Sequence, residues 1–129
     1  MVVDTSALMG LLLGEPTAPA IADVLEQEPD PTISAATLVE VFIVTEARLG
    51  ADGVLKLEQI LRETGIEVVA VDQTDAHRAI EAWRSFGKGR HPAGLNLGDC
   101  FVYALAATRG EPILCTGSDF ARTDIATVP

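Results

Sequence analysis

Positive charge is scarce in this sequence: 9 Lys and Arg stand against 19 Asp and Glu, a formal net charge of −10. No Lys or Arg occurs before Arg48, and the tightest basic cluster is Lys88, Arg90 and His91. A protein that follows nucleic-acid phosphates over a broad surface carries the opposite balance, so the composition counts against such a surface. It does not count against an acidic pocket, because a bound cation reverses the charge that a phosphate meets. Cysteine is scarce too. Cys100 and Cys115 lie in apolar stretches without a CxxC spacing, and they read as buried free thiols in a reducing compartment. No apolar run is long enough to cross a bilayer. The start lacks a basic segment and carries Asp4 among its apolar residues, so neither a signal peptide nor a membrane partner is expected, and the cytoplasm is the expected location. Also missing are a Gly-rich P-loop, HExxH and GxSxG, which removes the common nucleotide, zinc-protease and serine-hydrolase signatures.

What is present is a core. Of the 129 residues 48% are hydrophobic and the mean hydropathy is +0.29, which fits one globular domain over 1–129. MVVD reads as a short buried strand followed at once by the helix-like TSALMGLLLGE, and helical periodicity returns over residues 20–28. PDPTIS gives a turn and a strand ending near Ser34, which caps the long helix AATLVEVFIVTEARLG, closed by Gly50. A second amphipathic helix carries Val54, Leu57, Ile60 and Leu61 on one face, and EVVAV (67–71) is a strand. Asp72 or Thr74 caps a helix through about Phe86. The basic loop GKGRHPAG follows, then a helix from about Leu97, capped by Asn96 and ended by Gly110. PILCT is a last buried strand, and GSDFARTDIATVP a loop with a short terminal strand. Short apolar strands alternating with helices predict an α/β domain with a mainly parallel central sheet flanked by helices.

In such sheets ligands gather beyond the carboxyl ends of the strands. Asp4 ends the first strand, Glu40 lies early in the helix after the second, Asp99 opens the helix before PILCT, and Asp119 follows that strand. Each has an ordinary explanation: Asp4 and Asp99 suit helix starts, and Asp119 suits a turn. Glu40 is harder to explain so, because its neighbours Ala36, Thr37, Val39, Val41, Ile43 and Val44 are apolar or nearly so and its helix offers it no base within reach. An ionised carboxylate buried without a partner costs several kcal/mol. Thr116 and Ser118 are hydroxyls beside Asp119 that suit a supporting role. Glu46, on another face, His77, among charged helix residues, and His91, in the basic loop, read as ordinary surface or loop residues, His91 with a possible substrate contact. Convergent acids suit a hard divalent cation with oxygen ligands, and such a site can promote in-line displacement at phosphorus.

With VVDTSAL, TLVEVFIVTEARLG, FGKGRHPAGLNLGDCFVYALA and TGSDFARTDI in this order, essentially the whole chain resembles the PIN-domain ribonucleases, and among them the VapC-type toxins of bacterial toxin–antitoxin pairs. The resemblance implies a Mg²⁺-dependent endoribonuclease (Mn²⁺ substituting) that cuts RNA, forms a homodimer and is neutralised by a cognate VapB-type antitoxin. On the matching positions it implies Asp4, Glu40 and Asp99 as the acidic core and Asp119 as the fourth acid. Asp4 and Asp99 then hold the metal directly, while Glu40 and Asp119 complete the shell, directly or through water. The match is loosest at the closing turn, where Ser118 stands at a place that varies in the family. Lys88, Arg90 and His91 are the expected RNA contacts. Two other readings compete: a receiver-like Mg²⁺-binding signalling domain with Asp72 as its strand-end acid, which lacks a Lys after PILCT, and a non-catalytic PIN-like RNA- or protein-binding module.

Overall fold

In the computed structural model, which describes residues 1–129, the opening apolar pair forms strand β1 (Val2–Val3) and passes directly into helix α1 (Thr5–Leu13). Helix α2 (Ala18–Gln27), strand β2 (Thr32–Ser34) and the long helix α3 (Ala35–Thr64) follow. Strand β3 (Glu67–Val69), helices α4 (Gln73–Phe86) and α5 (Leu97–Arg109), and strand β4 (Ile113–Leu114) come next. A single 3-10 turn (Phe120–Arg122) and strand β5 (Thr127–Val128) close the chain. The five strands make one sheet in the order β3-β2-β1-β4-β5, and every pairing is parallel.

Successive strand side chains face opposite ways, and β1 and β4 use this to build two cores. Val2 and Ile113 face α4 and α5, packing with Leu95, Val102, Leu105 and Phe120. Val3 and Leu114 face α1, α2 and α3, packing with Leu8, Ile21, Ile33, Val41 and Leu57. Leu8, Ile21, Ile33, Leu57, Leu95 and Ile113 are fully buried, and each such side chain contributes about 1.5–3 kcal/mol on leaving water. Both faces of the sheet are covered, as an all-parallel sheet requires.

Gly50 closes the first helical stretch with a φ of 66°, and helical structure resumes at Ala51, so the two expected helices meet at a kink within α3, which ends at Gly65 (φ 65°). One expectation needs correction. The strand expected over 67–71 pairs only through Val69, because β3 lies at the sheet edge and its chain then turns to Asp72, the cap of α4. The first half of α3, apolar nearly all round, is covered on one side only: Val41 and Thr45 are buried, whereas Val39 and Ile43 are 58% and 63% exposed. The edge position of β3 also removes the receiver-like reading of Asp72. Its carboxylate is exposed and accepts the Asp75 amide at 2.9 Å, two strands away from β1.

The chain leaves β1 toward β2 and β3 on one side, and later fills β4 and β5 on the other. The crevice beyond the carboxyl ends of β1 and β4 is therefore the switch point where ligands gather in open parallel sheets. Asp4 and Thr116 stand at those ends.

Candidate active site

Asp4 is 6% exposed and caps α1: its Oδ2 accepts the Ser6 amide at 3.0 Å and the Ser6 hydroxyl at 2.5 Å. The same Ser6 hydroxyl accepts the Thr116 amide at 3.0 Å, so one side chain joins the carboxyl ends of β1 and β4. Asp99 stands in the first turn of α5 within a reciprocal cap: its amide donates to Asn96 Oδ1 at 2.9 Å, and its Oδ2 accepts the Asn96 amide at 3.0 Å. Glu40 is half-buried between the two. Its Oε1 accepts the Thr5 hydroxyl at 2.5 Å, and its Oε2 lies where a side chain on Gly98 would begin. Asp119 is exposed, opens the 3-10 turn and makes no capping bond.

Asp99 and Asp4 feel their acidic neighbours. Burial pushes the Asp99 carboxyl up to about 6; the negative charges of Asp4, Asp119 and Glu40 add to this, against the pull of the Asn96 amide. Burial likewise raises Asp4, with Glu40 adding to it and the Ser6 bonds opposing it. The Cys115 thiol, buried behind them, is pushed up to about 12 by burial and by Asp4, Asp119 and Asp99. No Lys or Arg offsets this charge: the ion pairs join the N-terminus to Glu28 and Glu111, Arg84 to Glu81, and Arg109 to Glu111. The structure therefore brings Asp4, Glu40, Asp99 and Asp119 to one edge of the sheet as an uncompensated negative cluster.

An all-oxygen donor set of this charge fits a hard divalent cation. The hydrogen bonds recorded for Asp99 and Glu40 each engage one oxygen, leaving Oδ1 and Oε2 without a protein donor. The side chains are turned onto the donors of their own neighbourhood, and no three His, Cys, Asp or Glu are grouped as metal ligands in this arrangement.

The supporting residues divide. Thr116 contributes through its backbone amide, and Ser118 is exposed with no side-chain bond to the acids. Lys88 is exposed and shares a groove with Asn96 and Leu97 beside Asp99. The Arg90 guanidinium stacks over Trp83, 4.3 Å from the ring centroid. His91 is a loop organiser: its ring meets Phe86 edge-on and its Nδ1 accepts the Ala93 amide at 3.0 Å. Sequence patterns singled out none of Thr5, Ser6, Gly98 and Arg122. Arg122, the last residue of the turn that Asp119 opens, donates to the Pro92 carbonyl at 3.1 Å and ties that turn to the basic loop. The only local signal was the placement of Thr5 and Ser6 directly after Asp4 and of Gly98 directly before Asp99.

Residues 1–126 match the PIN domain family. The chain is 48% identical over 130 residues to VapC ribonuclease Mb0640 of Mycobacterium bovis, covering 99% of this chain and 98% of that protein. It is 45% identical over 128 residues to Ribonuclease VapC of Mycolicibacterium smegmatis, covering 99% of each. Among solved structures it resembles Mycobacterium tuberculosis VapC20, a sarcin-ricin loop cleaving toxin, with a TM-score of 0.78 at 19% identity over 97% of this chain and 95% of that one. The DNA-bound VapBC of Salmonella typhimurium gives a TM-score of 0.76 at 19% identity, over 98% and 94% of the two chains.

Proposed function

This chain belongs to the VapC group of PIN-domain proteins, and from that premise we propose that it is the ribonuclease toxin of a toxin–antitoxin pair, hydrolysing RNA phosphodiester bonds with Mg²⁺ or Mn²⁺ at the four-acid site. The observation that carries the metal dependence is the cluster of Asp4, Glu40, Asp99 and Asp119 with no basic partner among the ion pairs. A bound divalent cation would supply neutralisation of these acids and stabilisation of charge at the phosphorus. Asp4, the cap of α1, and Asp99, in the cap of α5, would hold it. Glu40 and Asp119 would complete its shell, directly or through water, orient the water that attacks the phosphorus and receive its proton. Lys88 and Arg90, on the lip in front of α5, meet the RNA backbone. Incubating the protein with structured RNA tests this: discrete fragments are expected with Mn²⁺ or Mg²⁺, and cleavage surviving complete chelation would reject the metal mechanism.

The partners follow the same reading. The relatives of solved structure include VapBC complexes, which supports a VapB-type antitoxin that blocks the site, and the expected compartment is the cytoplasm. No helix is long and apolar enough to cross a membrane. A homodimer is supported by an open apolar surface beside the site: Val39 and Ile43 of α3, Leu97 at the start of α5 (78% exposed), and Ile80 and Trp83 of α4 (43% each). Grooves of ≈ 550 and ≈ 560 Å³ flank Leu97 and Phe101 and make these residues one continuous area. A surface of this kind marks an interface. Sedimentation at micromolar concentration should show a dimer, and Ile43→Asp should give a folded monomer.

A further inference from the structure

Glycine in the first turn of α5 has no backbone reason. Gly98 does not have a positive φ, unlike Gly14, Gly65 and Gly110, which close helices in the left-handed region. Alanine would serve the helix better there. The reason is spatial: a Cβ on Gly98 would stand 2.1 Å from Oε2 of Glu40, 2.8 Å from its Cδ and 3.1 Å from Oε1. Those atoms are the free end of a flexible side chain, so what gives way on substitution is the carboxylate, and the helix stays.

We infer that Gly98 is a positioning residue for Glu40, forming with the Thr5 hydroxyl a two-sided clamp that aims this carboxylate at the site shared with Asp4 and Asp99. One jaw is a hydrogen bond, Thr5 Oγ1 to Oε1 at 2.5 Å. The other is the bare backbone of α5, against which Oε2 rests. Thr5 directly follows Asp4, and Gly98 directly precedes Asp99. The clamp therefore fixes Glu40 relative to both Asp4 and Asp99, using the two elements that carry them. Nothing else in the structure holds the Glu40 carboxylate, since it forms no ion pair.

The inference rests on the ribonuclease reading for its activity readout, and on Mn²⁺ binding for a readout independent of it. Gly98→Ala is expected to melt at or above the wild-type temperature, to bind Mn²⁺ at least about 10-fold more weakly by electron paramagnetic resonance, and to lose about 100-fold in cleavage, the scale on which groups orienting a metal site act. Glu40→Asp is one methylene shorter and draws the carboxylate back from the clash. In that background Gly98→Ala should therefore cost less than about 3-fold in either readout. Thr5→Val, which removes the other jaw without touching α5, should weaken Mn²⁺ binding in the same direction. The inference is overturned if Gly98→Ala binds Mn²⁺ as the wild type does, if it costs the same factor in both Glu40 backgrounds, or if Thr5→Val leaves affinity unchanged. A wild type that binds Mn²⁺ but cuts no RNA would sink the ribonuclease reading and leave the clamp to be judged on binding alone.

Discussion

Helices α4 and α5 begin with the same device and end in opposite electrostatic states. Each starts with a reciprocal cap, Asp72 with Asp75 in α4 and Asn96 with Asp99 in α5, and the hydrogen bonds in both are 2.9 and 3.0 Å long. In α4 the cap lies at the sheet edge in solvent, and the Asp75 amide pulls Asp72 below the usual carboxylate range, with help from the Asp75 side chain, the Thr74 amide and Arg78. In α5 the same geometry lies over the switch point of the sheet. Burial there, with three nearby acids, pushes Asp99 up to about 6. A capping motif thus stabilises a helix start wherever it occurs. The tertiary setting alone turns one of them into a site.

The sharpest way to break this comparison is to remove one charge from each cap. Asp99→Asn should retain the fold and lose more than about 100-fold in RNA cleavage, beyond the usual effect of removing an outer-shell partner. Asp72→Asn should leave cleavage unchanged and lower the melting temperature slightly. Cleavage lost equally in both would mean that the two caps do not differ in function.

Titration separates the caps next. Asp99 has a folded pKa of about 6 against 3.8 for a free carboxyl, so between those values the folded protein holds a proton that the unfolded chain has released. Stability contributed by this group is therefore full below about pH 4 and is lost as pH rises toward 6 and beyond. The metal-free protein should melt lower at pH 7 than at pH 5. Mn²⁺ should raise the melting temperature at pH 7 far more than at pH 5, with release of protons on binding at the lower pH. In Asp99→Asn both differences should shrink, and Asp72→Asn should preserve them.

The smallest effect concerns Cys115, buried beside the acids with its thiol pushed up to about 12. It should resist alkylation at pH 8 in the native protein and react once the chain is unfolded. Rapid native labelling would show that the carboxyl ends of β1 and β4 open more readily than their packing implies.

Much of this was legible in the chain because it is local. Asn96 and Gly110 bracket α5, Asp72 caps α4, and the alternation of short apolar strands with helices points to the parallel sheet, all from patterns a few residues long. The acids were legible for a different reason: an acid at a strand end, or in an apolar helix as Glu40 is, asks for a partner. What was not legible depends on distant pairs. Thr5 meets Glu40 across 35 residues and Ser6 meets Thr116 across 110, and both hydroxyls sit where a helix start would place Thr or Ser anyway. Gly98 resembles an ordinary helix-start glycine until Glu40 is set against it. Gly50 as a helix end and the amphipathic stretch after it as a second helix were legible too, because both signals are local.

In the proposed function Asp4 and Asp99 hold a divalent cation at the carboxyl edge of the sheet, with Glu40 and Asp119 beside them. Mn²⁺ titration at pH 7.5, followed by electron paramagnetic resonance on the wild type, Asp99→Asn and Asp72→Asn, tests it most directly. Saturable binding is expected in the wild type and Asp72→Asn, with its loss in Asp99→Asn. Equal binding by all three, or none by the wild type, would contradict it.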